Sequence, residues 1–156
     1  MLMKLLLVLG AALLMACAPP VKQDDSKYGA SIGIVNHTAR YIHSATVNGA
    51  GGANMDAWGA GINDVCCVSV PVKWYPGMQV LVRWNMPENG KYVFKEKMVT
   101  VEKYDEPGSV YMHFFPDDEV RVVDSRHWSI SGKHPIPAPV KPMSLSNQSQ
   151  TVAVGK

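Results

Sequence analysis

The stretch Met78-Gln79-Val80-Leu81-Val82-Arg83-Trp84-Asn85-Met86-Pro87-Glu88-Asn89-Gly90-Lys91 decides the fold. Val80, Val82 and Trp84 alternate with Gln79, Leu81, Arg83 and Asn85, the two-residue period of a strand with one face toward a core, and the Val80 set is assigned to that core. Pro87-Glu88-Asn89-Gly90 then supplies a turn, because Asn-Gly accepts the positive φ of a tight hairpin. A hairpin from Val80 to Val101 is predicted.

Similar runs recur on either side, at Ser31 to Asn36, Tyr41 to Val47, Val65 to Val72, Lys91 to Val101, Ser109 to Phe115 and Glu119 to Val123, separated by clusters of Gly, Pro, Asn and Asp. No stretch keeps a helical period across three turns. The expectation is therefore an all-β fold, a single antiparallel β-sandwich-like domain of about seven strands. The 156 residues, 47% hydrophobic and 18% charged, suit one small folded unit. Fifteen basic side chains against 13 acidic ones leave no basic footprint for nucleic acid.

The N-terminus carries its own signal. Lys4 precedes an apolar run from Leu5 to Met15, the length of a signal-peptide core and short of the roughly 20 residues that span a bilayer. The run ends in Leu14-Met15-Ala16-Cys17, which resembles the bacterial lipobox, so Cys17 is the expected site of lipidation with acyl chains such as palmitate. Several chains on one residue give lasting anchorage, at about 0.8 kcal/mol per buried methylene. Ala18 stands where an aspartate would retain a lipoprotein in the inner membrane, so the periplasmic face of the outer membrane is the expected location. The resulting division is residues 1–16 as signal peptide, 17–30 as lipidated tether, 31–136 as β domain and 137–156 as a disordered tail. The stretch from Lys133 through Pro135, Pro137, Pro139 and Pro142 reads as loose, since proline donates no backbone hydrogen bond.

Few residues point to chemistry. Cys66 and Cys67 would face opposite sides of a regular strand, so burial of at least one is expected, with a disulfide between the neighbours as the alternative. His37, His43, His113, His127 and His134 lack metal-ligand spacing, and neither a metal nor a cofactor is expected. No Gly-x-Ser-x-Gly elbow is present, so no catalytic residue is assigned. A metal-dependent envelope enzyme built from His113, His127 and Asp117 stays as an alternative. The stretch from Asn48 to Gly61 holds five glycines and reads as a long loop. It either permits close backbone packing or presents Asp56 and Trp58 to a partner. Trp74, Tyr75, His127 and Trp128 are the other partner-binding candidates, with core packing as the plain reading of the tryptophans.

Taken together, His37-Thr38-x-Arg40-Tyr41-Ile42-His43-Ser44, Val47 to Ala53, Val65-Cys66-Cys67-Val68, Pro71, Trp74, Pro76-Gly77, Val82-Arg83-Trp84, Tyr111-x-His113-Phe114-Phe115-Pro116-Asp117 and His134-Pro135-Ile136 resemble a family of bacterial lipoproteins, the domain of unknown function 3304 family. Its members tend to occur beside type VI secretion components and phospholipase-type effectors. The resemblance therefore implies a periplasmic immunity protein that binds and blocks a cognate lipase. An accessory structural lipoprotein of the secretion apparatus is the other non-enzymatic reading.

Overall fold

The computed structural model describes residues 26–61 and 65–143. Cys17, the signal peptide, most of the tether and the last 13 residues of the expected tail lie outside the described residues. Eight strands form two four-stranded sheets. They are β1 (Lys27–Asn36), β2 (Ile42–Val47), β3 (Ala50–Met55), β4 (Val65–Pro71), β5 (Gln79–Asn85), β6 (Phe94–Thr100), β7 (Ser109–Phe114) and β8 (Val120–Ser125). One sheet runs β4-β1-β7-β8 and the other β3-β2-β5-β6. The fold is all-β and sandwich-like, as the alternation at β5 predicts.

The deciding hairpin forms as read. Val80, Val82 and Trp84 are buried, Gln79 and Arg83 are exposed, and β5 pairs β6 from Gln79↔Thr100 to Asn85↔Phe94. Asn89 and Gly90 take φ of 50° and 74° at the tip, flanked by reciprocal Glu88–Lys91 backbone hydrogen bonds of 2.9 Å. Asn85 departs from the pattern. It is 1% exposed because its Oδ1 accepts from the Val93 N–H at 3.0 Å, beneath the returning chain.

The eighth strand, β3, lies inside the glycine-rich stretch expected as a loop. Asn48 (φ 47°) and Gly49 (φ 80°) make a second tight turn, and Ala50–Met55 pairs back on β2. Ala45 pairs with Ala53 while Thr46 pairs with Gly51, which leaves Gly52 as an extra residue in a bulge. Glycines carry no side chain, so no alternation announced the strand.

β1 begins at Lys27, four residues before the expected domain start, and Ala30 is already buried. It pairs β4 antiparallel and β7 parallel, from Ile32↔Val110 to Asn36↔Phe114. Ile32 and Ile34 join the main core between the sheets, with Ile42, Val47, Val82, Met112 and Val122. Val35 points the other way, into a second cluster with Tyr111, Val123 and Ile136. The chain after β8 thus returns over the outer face of the first sheet. His134 (6% exposed) and Ile136 (3%) are buried there, so the expected loose stretch begins later than Lys133, and Pro137 is the first exposed residue after Ile136. The prolines of this stretch need no strand partners, because side-chain burial holds it.

On one side the sheets are joined by backbone. Val101, just past β6, bridges Val122 of β8, and the Glu102 N–H donates to the Val122 carbonyl at 2.9 Å. On the other side lie β3 and β4. Ala30 pairs with Val68 and Ile32 with Val65, so Cys66 and Cys67 share a bulge opposite Ser31. Both cysteines are exposed and joined to each other by a disulfide. This corrects the expectation of burial, because a bulge frees both side chains from strict alternation.

Burial of Ile136 is checked by Ile136→Ala. The variant is expected to lose about 2 to 4 kcal/mol of stability by urea unfolding. A change within 0.5 kcal/mol, roughly that of a surface substitution, would show the C-terminal stretch to be undocked.

Candidate functional site

One end of the sandwich is organised by Asn36, the last residue of β1, which is fully buried. Its Nδ2 donates to the carbonyls of Arg40 at 2.6 Å and Asp56 at 2.9 Å. Its Oδ1 accepts from the Thr38 N–H at 3.0 Å and the Thr38 hydroxyl at 2.8 Å. Those four bonds use the full capacity of a carboxamide. They tie the loop after β1 to the loop after β3, and the Trp58 N–H adds a bond to the Thr38 carbonyl at 3.1 Å. Trp58 is held there at φ 60°.

The facing wall follows β7. Phe115 leads into a single 3₁₀ turn, Pro116–Asp118, in which Asp117 and Asp118 take φ of 60° and 57°. The Phe115 N–H closes it on the Glu119 carbonyl at 2.9 Å. The floor and far side come from Met86 and Lys95, at the ends of β5 and β6. Between these walls is a cleft of about 490 Å³, lined by Thr38, Ala39, Arg40, Trp58, Met86, Lys95 and Phe115 to Asp118. Trp58, Asp117 and Asp118, three of the five non-glycine residues with positive φ among the described residues, line it. Each such conformation costs of order 1 kcal/mol and persists where surrounding bonds over-determine it, a pattern that clusters at functional sites.

Both cations in the cleft are neutralised from within. The Arg40 guanidinium donates to the Met86 carbonyl at 2.9 Å and to Glu88 at 2.8 Å. The Lys95 ammonium donates to both Asp118 oxygens, at 2.9 and 2.7 Å. Asp117 has no hydrogen-bond or ion-pair partner among the described residues.

Behind Phe115 runs a line of three histidines. His37 stacks on the Phe115 ring at 4.3 Å between centroids. Its Nε2 lies 3.0 Å from His113 Nδ1, and His113 Nε2 lies 3.0 Å from His134 Nε2. His134 Nδ1 ends the line 2.8 Å from the His127 carbonyl. A carbonyl only accepts, so His134 carries its proton on Nδ1. With every ring neutral, His113 then donates from Nε2 and His37 donates from Nε2, and all three bonds are satisfied in one direction. Burial favours that neutral state. It pushes His113 down to about 3, helped by His134, His37 and Arg121. Burial also lowers His37, with Arg121 adding to it, and lowers His134.

The partner-binding candidates do not share one surface. Trp58 lines the cleft, and Asp56 stands exposed on the same turn with its carbonyl held by Asn36. Trp74 packs half-buried against the main core, its Nε1 donating to the Val101 carbonyl at 2.9 Å, which is a structural role. Tyr75 is exposed beside it, by the start of β5 and away from the cleft. His127 and Trp128 lie on the returning C-terminal segment, exposed beside Arg126 and Ile130. Arg40, Lys95 and Phe115 were not picked out as partner contacts from sequence, although Arg40 and the run Phe114 to Asp117 stood in the resemblance. Among the described residues no group of three or more His, Cys, Asp or Glu is placed to hold a metal, so His113, His127 and Asp117 do not assemble as one.

Residues 35–122 match the family described as protein of unknown function (DUF3304). No curated protein and no solved structure matches the chain.

The histidine line makes stability depend on acid. The unfolded chain takes up protons near 6.5 while buried His113 resists until about 3. The contribution is therefore complete above 6.5 and is lost as pH falls below it, by up to about 1.4 kcal/mol per pH unit for His113 alone. Urea midpoints are expected to drop over the pH unit below 6.5, and more shallowly in His113→Asn. Midpoints that stay flat there in the wild-type chain would contradict the burial of neutral imidazoles.

Proposed function

For this chain, which belongs to the DUF3304 family, we propose a lipid-anchored periplasmic immunity protein that binds a toxic effector of the phospholipase type and neutralises it by occupying its surface. The anchor is the Cys17 sulfur, outside the described residues, and the site of action is the periplasmic face of the outer membrane.

The observation that best supports a binding role is the cleft at the Asn36 end. Its lining comes from five segments pinned to a rigid two-sheet scaffold, and three of its residues are held in costly backbone conformations. A preorganised surface of this kind loses little entropy when a partner docks. The ring nitrogens of His113 are both used inside the histidine line. That engagement suits a packing role better than acid–base chemistry.

Expression of the cognate phospholipase-type effector, directed to the periplasm, is expected to kill cells lacking the lipoprotein and to spare cells that carry it. Cys17→Ser is expected to weaken protection by releasing the protein from the membrane. Equal killing with and without the wild-type chain would sink the immunity reading. Loss of secretion of every effector on deletion, with no sensitivity to siblings, would favour the accessory role in the apparatus.

A further inference from the structure

We propose that the cleft receives a lysine or arginine side chain of the protein partner, its charged end meeting Asp117 and its stem lying against Trp58 and Phe115. The inference rests on the binding role proposed above and gives that role a specific contact.

Charge balance points to a cation. The Arg40 charge is balanced by Glu88 and the Lys95 charge by Asp118, so the cleft offers no uncompensated positive charge to draw an anion. Asp117 is the one charged group of the lining left without a partner among the described residues. Trp58, Met86, Phe115 and Pro116 supply an apolar lining. A carboxylate beside aromatic faces is the setting in which a guanidinium or ammonium gains from ion pairing and from cation–π attraction together. At about 490 Å³ the cleft has room for a long side chain and the backbone that carries it.

The surroundings favour a protein as the bearer of that cation over a small free molecule. Next to Arg40 and Lys95 in the chain stand Tyr41 and Phe94, which end a row of ring contacts through His43 and Tyr92. Tyr41, Tyr92 and Phe94 are 42%, 65% and 66% exposed. Exposed aromatic rows of this kind are typical of protein interfaces, where they are covered by the partner, and the two ends of this row are the chain neighbours of the cleft residues Arg40 and Lys95. A small ligand in the cleft would leave them in water.

The test uses the full chain and two probes, N-acetyl-arginine amide and its neutral isostere N-acetyl-citrulline amide, with the Trp58 indole resonance as readout. The arginine probe is expected to shift that resonance and to bind roughly threefold to tenfold more tightly than the citrulline probe. Asp117→Asn, in which asparagine tolerates the positive φ, is expected to erase the difference while leaving the fold intact. Equal binding of both probes, or no shift of Trp58 by either, overturns the proposal. A second arm compares protection against the effector by wild type and by Asp117→Lys, where a reduced protection is expected. If the arginine probe binds selectively but wild type does not protect, the immunity reading fails and the cleft's preference stands. If wild type and Asp117→Lys protect equally, the side-chain contact fails and immunity stands.

Discussion

A strand buried on both faces leaves its sequence little freedom, because every side chain and every backbone group must be met by a neighbour. β1 is in that position over its second half. Ile32 and Ile34 enter the core between the sheets, Val35 meets the returning C-terminal segment, and the backbone is shared between β7 and the Gly59–Gly61 segment, with the Asn36 N–H donating to the Gly59 carbonyl and the Gly61 N–H to the Ile34 carbonyl. Asn36 then delivers a saturated carboxamide to the loops at the end of the strand. The scaffold, the C-terminal cover and the cleft are all registered on this one element.

The cleft and the histidine line are consequently parts of one arrangement. Phe115 forms a wall of the cleft on one side and stacks on His37 on the other. His37 leads through His113 to His134, which lies in the segment that covers Val35. Three imidazoles in series have one pattern of protons that satisfies every bond while all remain neutral. An added proton at either internal junction sets two N–H groups face to face, which costs a buried hydrogen bond. The left-handed backbone at Trp58, Asp117 and Asp118 is tolerable in this setting because the surrounding bonds leave those residues no cheaper geometry.

The sequence was most legible where side chains report on their own neighbours. Alternation at Val80, Val82 and Trp84 and the Asn89-Gly90 pair gave β5, β6 and their turn. The same Asn-Gly signal sits at Asn48-Gly49, yet β3 escaped notice because Gly51 and Gly52 offer no period to read. At Cys66 and Cys67 the disulfide held as the alternative is the one that forms, and the expected burial fails for the converse reason: the alternation argument assumes a regular strand, and a bulge suspends it. Of the cleft lining, only Trp58 was picked out as a partner contact. Arg40, Met86, Lys95 and Phe115 come from four separate segments, and their convergence depends on sheet order and on the parallel β1–β7 pair, which local pattern does not encode. His37, His113 and His134 likewise lack any regular spacing, since the line is assembled across long separations.

The seam at Val101 and Val122 leaves β3 and β4 as the outer strands away from it among the described residues, and both are bulged, one at Gly52 and the other at the cysteine pair. A straight outer strand is a template on which a foreign chain can add the next rung, and a kinked one is a poor template. Such kinks keep neighbouring molecules from zipping together into aggregates through these two edges.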